Sequence, residues 1–141
     1  MAKIFKNADP AKMARLLKEG EVCVYPTETS YALGCLAYDE LALERLCEIK
    51  GRDAAKRLPL IASGLDMIKE IAPGARRFEI EMMKLFFPAP LTFVLKAADG
   101  LPRQIRDDSN NVAVRVSSCE TARALAEAAG GPLVSTSANL S

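Results

Sequence analysis

Four cationic side chains without a matching local run of carboxylates are the residues best suited to chemistry: Lys50, Arg52, Lys56 and Arg115. Arginine offers a bidentate fork of donors and lysine a mobile point charge, and both suit phosphate groups. The sequence contains neither G-x-x-x-x-G-K-[ST] nor G-x-G-x-x-G, which excludes a P-loop and a Rossmann nucleotide site. The residues alone therefore predict an anion pocket, for which a nucleotide is one candidate ligand.

Short polar side chains form clusters between apolar segments, at 26–30 (PTETS) and 135–139 (STSAN), and a third cluster surrounds Lys50-Gly51-Arg52. The hydroxyls of Thr27, Ser135 and Ser137 and the amide of Asn139 could orient a small polar ligand. Each cluster lies at or just beyond the end of a predicted helix or strand, where α/β folds carry their sites. We therefore expect these clusters to contribute to one site.

Structural readings of the same residues remain open at this point. Lys50 and Arg52 could complement a helix dipole, the STSAN run could be a polar turn, and Thr27 could be a turn former. Arg115 lies in an otherwise apolar strand, where a guanidinium is costly unless it meets an anion. The residues alone do not decide whether Arg115 binds a ligand.

Composition restricts the classes of function. The chain has 141 residues, a formal net charge of +1 and no histidine. The small net charge gives no bulk field for non-specific nucleic-acid binding. The absence of histidine excludes Ser-His and Cys-His nucleophiles and any zinc site built from thiolates and imidazoles.

The cysteines and the N-terminus indicate a reducing, aqueous environment. The four cysteines, Cys23, Cys35, Cys47 and Cys119, form no C-x-x-C pair, and we predict buried, reduced thiols that act as small hydrophobes, with no metal site. The N-terminal segment has no signal-peptide core, and no apolar stretch reaches the length of a bilayer span. We expect a cytoplasmic protein without a membrane partner.

Periodicity predicts alternating helices and strands. Predicted helices cover 10–19 with Asp9 as N-cap, the segment from the cap Asp39 to about 50 with Gly51 as terminator, 65–71, 74–87 and a stripe over 122–129. Predicted strands cover 21–25, 31–37, 58–62, 91–96, 112–117 and 133–136. Inward-facing side chains are predicted at Val112, Val114 and Val116 and, in the fourth helix, at Phe78, Met82, Leu85 and Phe86. The pattern indicates one α/β domain over 1–141, with a twisted mixed sheet and flanking helices.

Five motifs resemble those of the YrdC-like threonylcarbamoyl-AMP synthase family. Residues 26–34, PTETSYALG, resemble PTETVYGLG; Lys50-Gly51-Arg52 with Lys56 and 59–60 resembles KGRP…K…PL; and 88–92, PAPLT, resembles PGPLT. Residues 112–116 resemble VAVRVP and 132–141 resemble PLVSTSANLS. Because the motifs occur in the family's order over about residues 10–141, the chain is identified by resemblance as a member.

The resemblance implies a YrdC-like fold with an open, basic concave face. It also implies a nucleotidyltransferase, L-threonylcarbamoyladenylate synthase, which forms threonylcarbamoyl-AMP and pyrophosphate from L-threonine, bicarbonate and ATP, with Mg²⁺ as the expected companion of ATP. A downstream transferase complex would then modify adenosine 37 of tRNA, and tRNA or double-stranded RNA is an expected partner.

The resemblance also assigns roles to individual residues. It places the catalytic set, which also binds ATP, at Lys50, Arg52, Ser137 and Asn139. It adds Lys56 and Asn111 to the ATP contacts. It places the threonine pocket at Thr27, Ser63, Arg115 and Ser135, with Arg115 facing the carboxylate.

The chain departs from the family pattern at several positions. The PAHP that often follows VAVR is Ser117-Ser118-Cys119-Glu120 here, and Ser63 stands where some members have a histidine. Family chains continue beyond SANLS, so we expect a C-terminally short domain. The alternative functions are a catalytically weak nucleotide- or RNA-binding module and a carbamoyl-transferring maturation domain related by fold.

Overall fold

The computed structural model describes residues 9–51 and 57–138. Helices span α1 (Pro10–Lys18), α2 (Glu40–Lys50), α3 (Leu65–Ile71), α4 (Arg77–Phe86) and α5 (Glu120–Ala129), with a short 3₁₀ turn at Arg103–Ile105. Strands span β1 (Cys23–Pro26), β2 (Tyr31–Gly34), β3 (Leu60–Ala62), β4 (Phe93–Lys96), β5 (Asn111–Val116), β6 (Leu133–Val134) and β7 (Thr136–Ser137). The predicted α/β class is confirmed.

The caps of the first two helices follow the predicted pattern. The Asp9 side chain accepts a hydrogen bond from the Lys12 backbone N–H at 2.8 Å, and Asp39 accepts one from Ala42 at 3.1 Å. Each carboxylate satisfies a donor that the first helical turn leaves unpaired. Gly51 ends α2 with φ of +64°, a left-handed conformation that glycine adopts without steric cost. Lys50 is thereby fixed as the last residue of α2.

The mixed sheet is divided into two hydrogen-bonded parts. One part has the order β1-β2-β7 and the other has the order β4-β5-β3-β6. Strands β3 and β5 run parallel, with Ile61 beside Arg115, while the other pairs are antiparallel. The predicted mixed sheet is thus confirmed.

A seam after β2 joins the two parts of the sheet. The Val134 backbone N–H donates to the Cys35 carbonyl at 2.9 Å, and Leu36 bridges to Leu133. Gly34 lies at this seam, where an added Cβ would overlap the carbonyl oxygen of Val134 and lie 2.7 Å from a ring carbon of Tyr25. The seam therefore depends on glycine for its close backbone approach.

The core lies on both faces of the larger part of the sheet. On one face Val112, Val114 and Val116 are buried with side chains of α2, α3 and α4, as the alternation predicts. On the other face Ile61 packs with α1 and α5. Because side chains alternate along a strand, Arg115 and Ser117 follow Ala113 on the face opposite the three valines.

The predicted inward face of α4 is wrong. Phe78, Met82, Leu85 and Phe86 are the exposed apolar residues of this helix, with 57%, 44%, 75% and 46% of their surfaces accessible. The side that faces the core instead carries Met83, which is buried, and Ile80, which is partly buried, with Phe87 just after the helix. The helix carries apolar residues on two opposite sides, so helical spacing alone does not choose between them. In the folded chain Met83 packs into the core, and the Phe87 ring after the helix packs edge-on against Phe93 with a centroid distance of 5.3 Å.

The four cysteines form no disulfide, but the prediction that all of them are buried holds only for Cys35. Cys23, Cys47 and Cys119 are half-buried. Burial is the largest cause that raises the pKa of Cys23 to about 11 and that of Cys35 to about 12, so these two thiols are protonated at neutral pH. Among the described residues, no helix combines the length and apolar character of a bilayer span.

Candidate active site

Lys50 and Ser137 meet although they are far apart in the sequence. The Lys50 Nζ lies 2.8 Å from the Ser137 carbonyl oxygen and 3.5 Å from Ser137 Oγ. Lys50 ends α2, and Ser137 lies in β7, paired with Ala32 of β2. We call this contact the Lys50 junction. It brings together two residues that the sequence predicts for the catalytic set.

Thr27 closes the turn between β1 and β2. Its Oγ1 accepts from the backbone N–H of Ser30 at 3.1 Å and of Thr29 at 3.3 Å, and it donates to the Ser30 carbonyl. This pattern is that of a threonine-stabilised turn. The structural reading of Thr27 therefore has direct support, and its role in threonine binding stays a prediction.

Arg115 meets a protein carboxylate inside the fold. Its Nη2 lies 3.0 Å from Glu28 Oε1, and the two side chains are 15% and 12% exposed. Glu28 Oε1 and, at a different atom of the guanidinium, Arg115 Nε are buried without a hydrogen-bond partner in the described part of the chain. We call this contact the Arg115 junction. The sequence did not predict that a carboxylate would accompany this cation.

The second oxygen of Glu28 is held by the loop that follows β5. Glu28 Oε2 accepts from Ser117 Oγ at 2.8 Å, from the Ser118 backbone N–H at 2.6 Å and from Ser118 Oγ at 3.2 Å. Burial acts to raise the pKa of Glu28, but these hydrogen bonds and the charge of Arg115 outweigh it and hold the pKa below its ordinary value. Glu28 is therefore ionised at neutral pH.

Tyr25, in β1, holds the segment that leads to β7. Its hydroxyl donates to the Val134 carbonyl at 2.7 Å. Burial strongly raises the pKa of Tyr25, against smaller opposing effects of a side-chain hydrogen bond with Ser135 and of the charge of Arg115. The phenol is thus neutral and buried, and it holds the backbone of Val134 next to Ser135.

Ser63 lies near the end of the β5 strand that carries Arg115. It follows Ala62, the last residue of β3, just as Ser117 follows Val116, and Ala62 and Val116 are parallel partners. The carboxyl ends of neighbouring parallel strands are where α/β folds place their sites. The Ser63 hydroxyl contacts Met67 Sδ at 3.8 Å.

Asn111 lies at the other end of β5, four residues before Arg115, a separation of about 13 Å along a strand. Its backbone N–H and its side-chain amide both donate to Asp107, at 2.9 Å and 3.4 Å. Asp107 also pairs with Arg57 at 2.9 Å. Asn111 therefore supports a loop rather than joining the Arg115 junction, and its predicted ATP contact stays a prediction.

Three predicted site residues, Arg52, Lys56 and Asn139, lie outside the described residues. The predicted basic concave face also stays a prediction. Within the described ranges, no group of three or more cysteine, aspartate or glutamate side chains could hold a metal ion.

Sequence reasoning missed Glu28, Tyr25, Ser117 and Ser118 as parts of this region. Glu28 stands inside the polar PTETS cluster, and an ionisable residue at that place was a signal that could have paired it with the strand arginine. Ser117 and Ser118 could have been found from the departure of SSCE from PAHP. No sequence signal distinguishes Tyr25 from an ordinary aromatic core residue.

The described residues form two sets of contacts, each of which includes one cation. Lys50 contacts Ser137, and Arg115 contacts Glu28. Tyr25, three residues before Glu28, donates to the carbonyl of Val134, three residues before Ser137. A cation with neighbouring hydroxyls is suited to holding an anionic group. Together with the α/β sheet, these contacts mark a candidate anion site in a domain whose sequence has neither a P-loop nor a Rossmann motif.

Comparison with known proteins narrows this class to one family. The Sua5/YciO/YrdC family model, described as "Telomere recombination", matches residues 15–141. The chain is 36% identical over 128 residues to the threonylcarbamoyl-AMP synthase of Methylococcus capsulatus and 34% identical over 143 residues to that of Blochmanniella floridana. The protein belongs to the Sua5/YciO/YrdC family.

The solved structures agree with this assignment. The structure of P. abyssi Sua5 complexed with L-threonine superposes with a TM-score of 0.88 at 35% identity over 94% of this chain. The chain spans 39% of that Sua5 chain, and it spans 69% and 76% of the M. capsulatus and B. floridana synthases. The 141 residues therefore correspond to part of each of these relatives.

Proposed function

We propose that the protein is an L-threonylcarbamoyladenylate synthase, which forms threonylcarbamoyl-AMP and pyrophosphate from L-threonine, bicarbonate and ATP. The observation that carries the proposal is the meeting of Lys50 with Ser137 across 87 residues of sequence, in a chain 34–39% identical to proteins named threonylcarbamoyl-AMP synthase. This reaction makes the protein a nucleotidyltransferase in the biosynthesis of threonylcarbamoyladenosine at position 37 of tRNA.

The roles in this proposal divide between the two junctions. Lys50 and Ser137, with Arg52, Lys56 and Asn139, would hold the triphosphate and the reacting carbamate, and Asn111 would touch the nucleotide. Arg115 would face the carboxylate of threonine, with Thr27, Ser63 and Ser135 lining the same pocket. The P. abyssi Sua5 complex with L-threonine supports the amino-acid part of this assignment.

The chemistry explains why cations and hydroxyls suffice. The carbamate oxygen of N-carboxy-threonine attacks the α-phosphorus of ATP, a new P–O bond forms, and the bond to pyrophosphate breaks. Both reactants are anionic, so fixed cations must offset their repulsion and the charge that develops on pyrophosphate. Mg²⁺ would enter bound to the ATP phosphates, because it usually keeps substrate oxygens and water as ligands. No histidine is needed for these steps.

The product would pass to a separate threonylcarbamoyl-transferring complex in the cytoplasm, with tRNA as the final acceptor. Direct contact with tRNA or double-stranded RNA would have to rely on a local basic surface, because the net charge of the whole chain is only +1.

The test is release of pyrophosphate by the purified protein. We expect release only when ATP, L-threonine and bicarbonate are all present. Lys50→Ala should reduce it at least 100-fold, because a cation facing the phosphates is lost, with an unchanged circular dichroism spectrum. Lys69→Ala, an exposed lysine of α3, is the matched control and should keep wild-type rates. ATP binding without turnover would contradict the proposal and favour a nucleotide-binding module.

A further inference from the structure

The Glu28 carboxylate is shared unequally between two sets of donors. Ser117 and Ser118 supply three hydrogen bonds to Oε2, whereas Oε1 has the ion pair with Arg115. A carboxylate and a guanidinium normally prefer two parallel N–H···O bonds. In this structure that arrangement does not form, and Arg115 Nε has no acceptor among the described residues.

Serine hydroxyls supply two of the three hydrogen bonds to Glu28 Oε2. Ser117 is fully buried, and its Oγ also accepts from the Cys119 backbone N–H at 3.0 Å, which directs its own hydrogen towards Glu28. The Arg123 guanidinium fixes the Ser117 carbonyl at 2.6 Å. The Ser117 hydroxyl is therefore held in place from several sides, and Glu28 Oε2 is held with it.

These hydroxyls belong to this chain rather than to the family motif it resembles. The PAHP motif has proline and alanine at the positions of Ser117 and Ser118, and neither of those side chains donates a hydrogen bond. Only the backbone N–H of residue 118 would remain as a donor to the carboxylate. The two hydroxyl donors to Glu28 Oε2 are thus supplied by the SSCE sequence at 117–120.

We propose that Ser117 and Ser118 are positioning residues for amino-acid binding: by holding one oxygen of Glu28, they keep this carboxylate from occupying Arg115 with two bonds. The guanidinium then retains donors and positive charge for the carboxylate of an incoming amino acid. This inference rests on the proposed function, in which Arg115 faces that carboxylate. Ser117 and Ser118 act through Glu28 and need no contact with the substrate.

The experiment combines two measurements on the same variants. Isothermal titration calorimetry with L-threonine should show binding to Ser117→Ala/Ser118→Ala weakened about tenfold, because Glu28 turns towards Arg115 and competes with the ligand. Adding Glu28→Gln to this double variant should restore binding to within about twofold of Glu28→Gln alone, because the competing charge is gone. Ser109→Ala, which removes an exposed hydroxyl near Asp107, should bind like wild type.

The second measurement observes the Arg115 side chain directly and does not require any substrate. In ¹H–¹⁵N spectra the Arg115 Nε–H resonance should move downfield and exchange more slowly in Ser117→Ala/Ser118→Ala, because Nε gains the Glu28 acceptor. An unchanged resonance, or weakened threonine binding that Glu28→Gln fails to rescue, would overturn the inference. The resonance could also move although neither the wild type nor any variant binds threonine. The proposed function would then fail, but the competition between the serines and Arg115 for the Glu28 carboxylate would stand.

Discussion

The two junctions hold their cations in different ways. At the Lys50 junction an ammonium group at the end of a helix donates to a carbonyl and a hydroxyl of Ser137. At the Arg115 junction a guanidinium is largely buried against the carboxylate of Glu28. We therefore expect Arg115 to contribute to the stability of the fold as well as to the proposed site. A change at Lys50 should instead affect mainly the binding of a ligand.

The largest expected effect concerns the buried pair. Arg115→Met should lower the free energy of unfolding by about 3 kcal/mol, because it leaves a mostly buried carboxylate without its cation. Combining it with Glu28→Gln should recover at least half of that loss, since neither charge is then left alone. Urea denaturation measures both values. Equal stability of the single and the double variant would show that the two charges are not coupled.

A smaller effect should appear in the pH dependence of stability. The pKa of Glu28 is lower in the folded protein than its ordinary value of 4.5. The stability it contributes is therefore fully present above about 4.5 and is lost as the pH falls through the folded-state pKa. Wild type should exceed Glu28→Gln in unfolding free energy at pH 7, and the difference should shrink towards pH 3. A constant difference over this range would assign the effect to packing instead of charge.

The smallest expected effect is on stability at the Lys50 junction. Lys50→Ala removes a hydrogen bond at an exposed contact, so the free energy of unfolding should fall by no more than about 1 kcal/mol. The comparison between the junctions is sharpened if the same variant has lost pyrophosphate release. A loss of several kcal/mol would mean that Lys50 is a structural residue like Arg115.

The architecture could be predicted from sequence to the extent that its signals are local. Asp9, Asp39 and Gly51 mark helix ends through bonds formed within a few residues, and the alternation over 112–116 identifies the buried face of β5. The orientation of α4 could not be predicted in this way, because both of its sides are apolar. Which side of α4 faces the core depends on tertiary contacts, such as that of Phe87 with Phe93, which only the folded chain brings together.

The same distinction applies to the candidate site. The resemblance to the family motifs selected Lys50 and Ser137, which the structure brings into contact. It did not reveal that Glu28 would approach Arg115, since that pairing depends on a turn and a strand end separated by 87 residues (115 − 28). Nor did it predict that Ser117 and Ser118 would hold the second oxygen of Glu28.

Gly34 has a consequence that reaches beyond its own strand. A methyl group there would collide with the carbonyl of Val134, the acceptor of the Tyr25 hydroxyl and the neighbour of Ser135. Backbone displacement at this point would be passed along three residues to Ser137. In a saturation-mutagenesis screen, position 34 should therefore behave as intolerant as a substrate-contacting residue, although glycine has no side chain with which to touch a ligand.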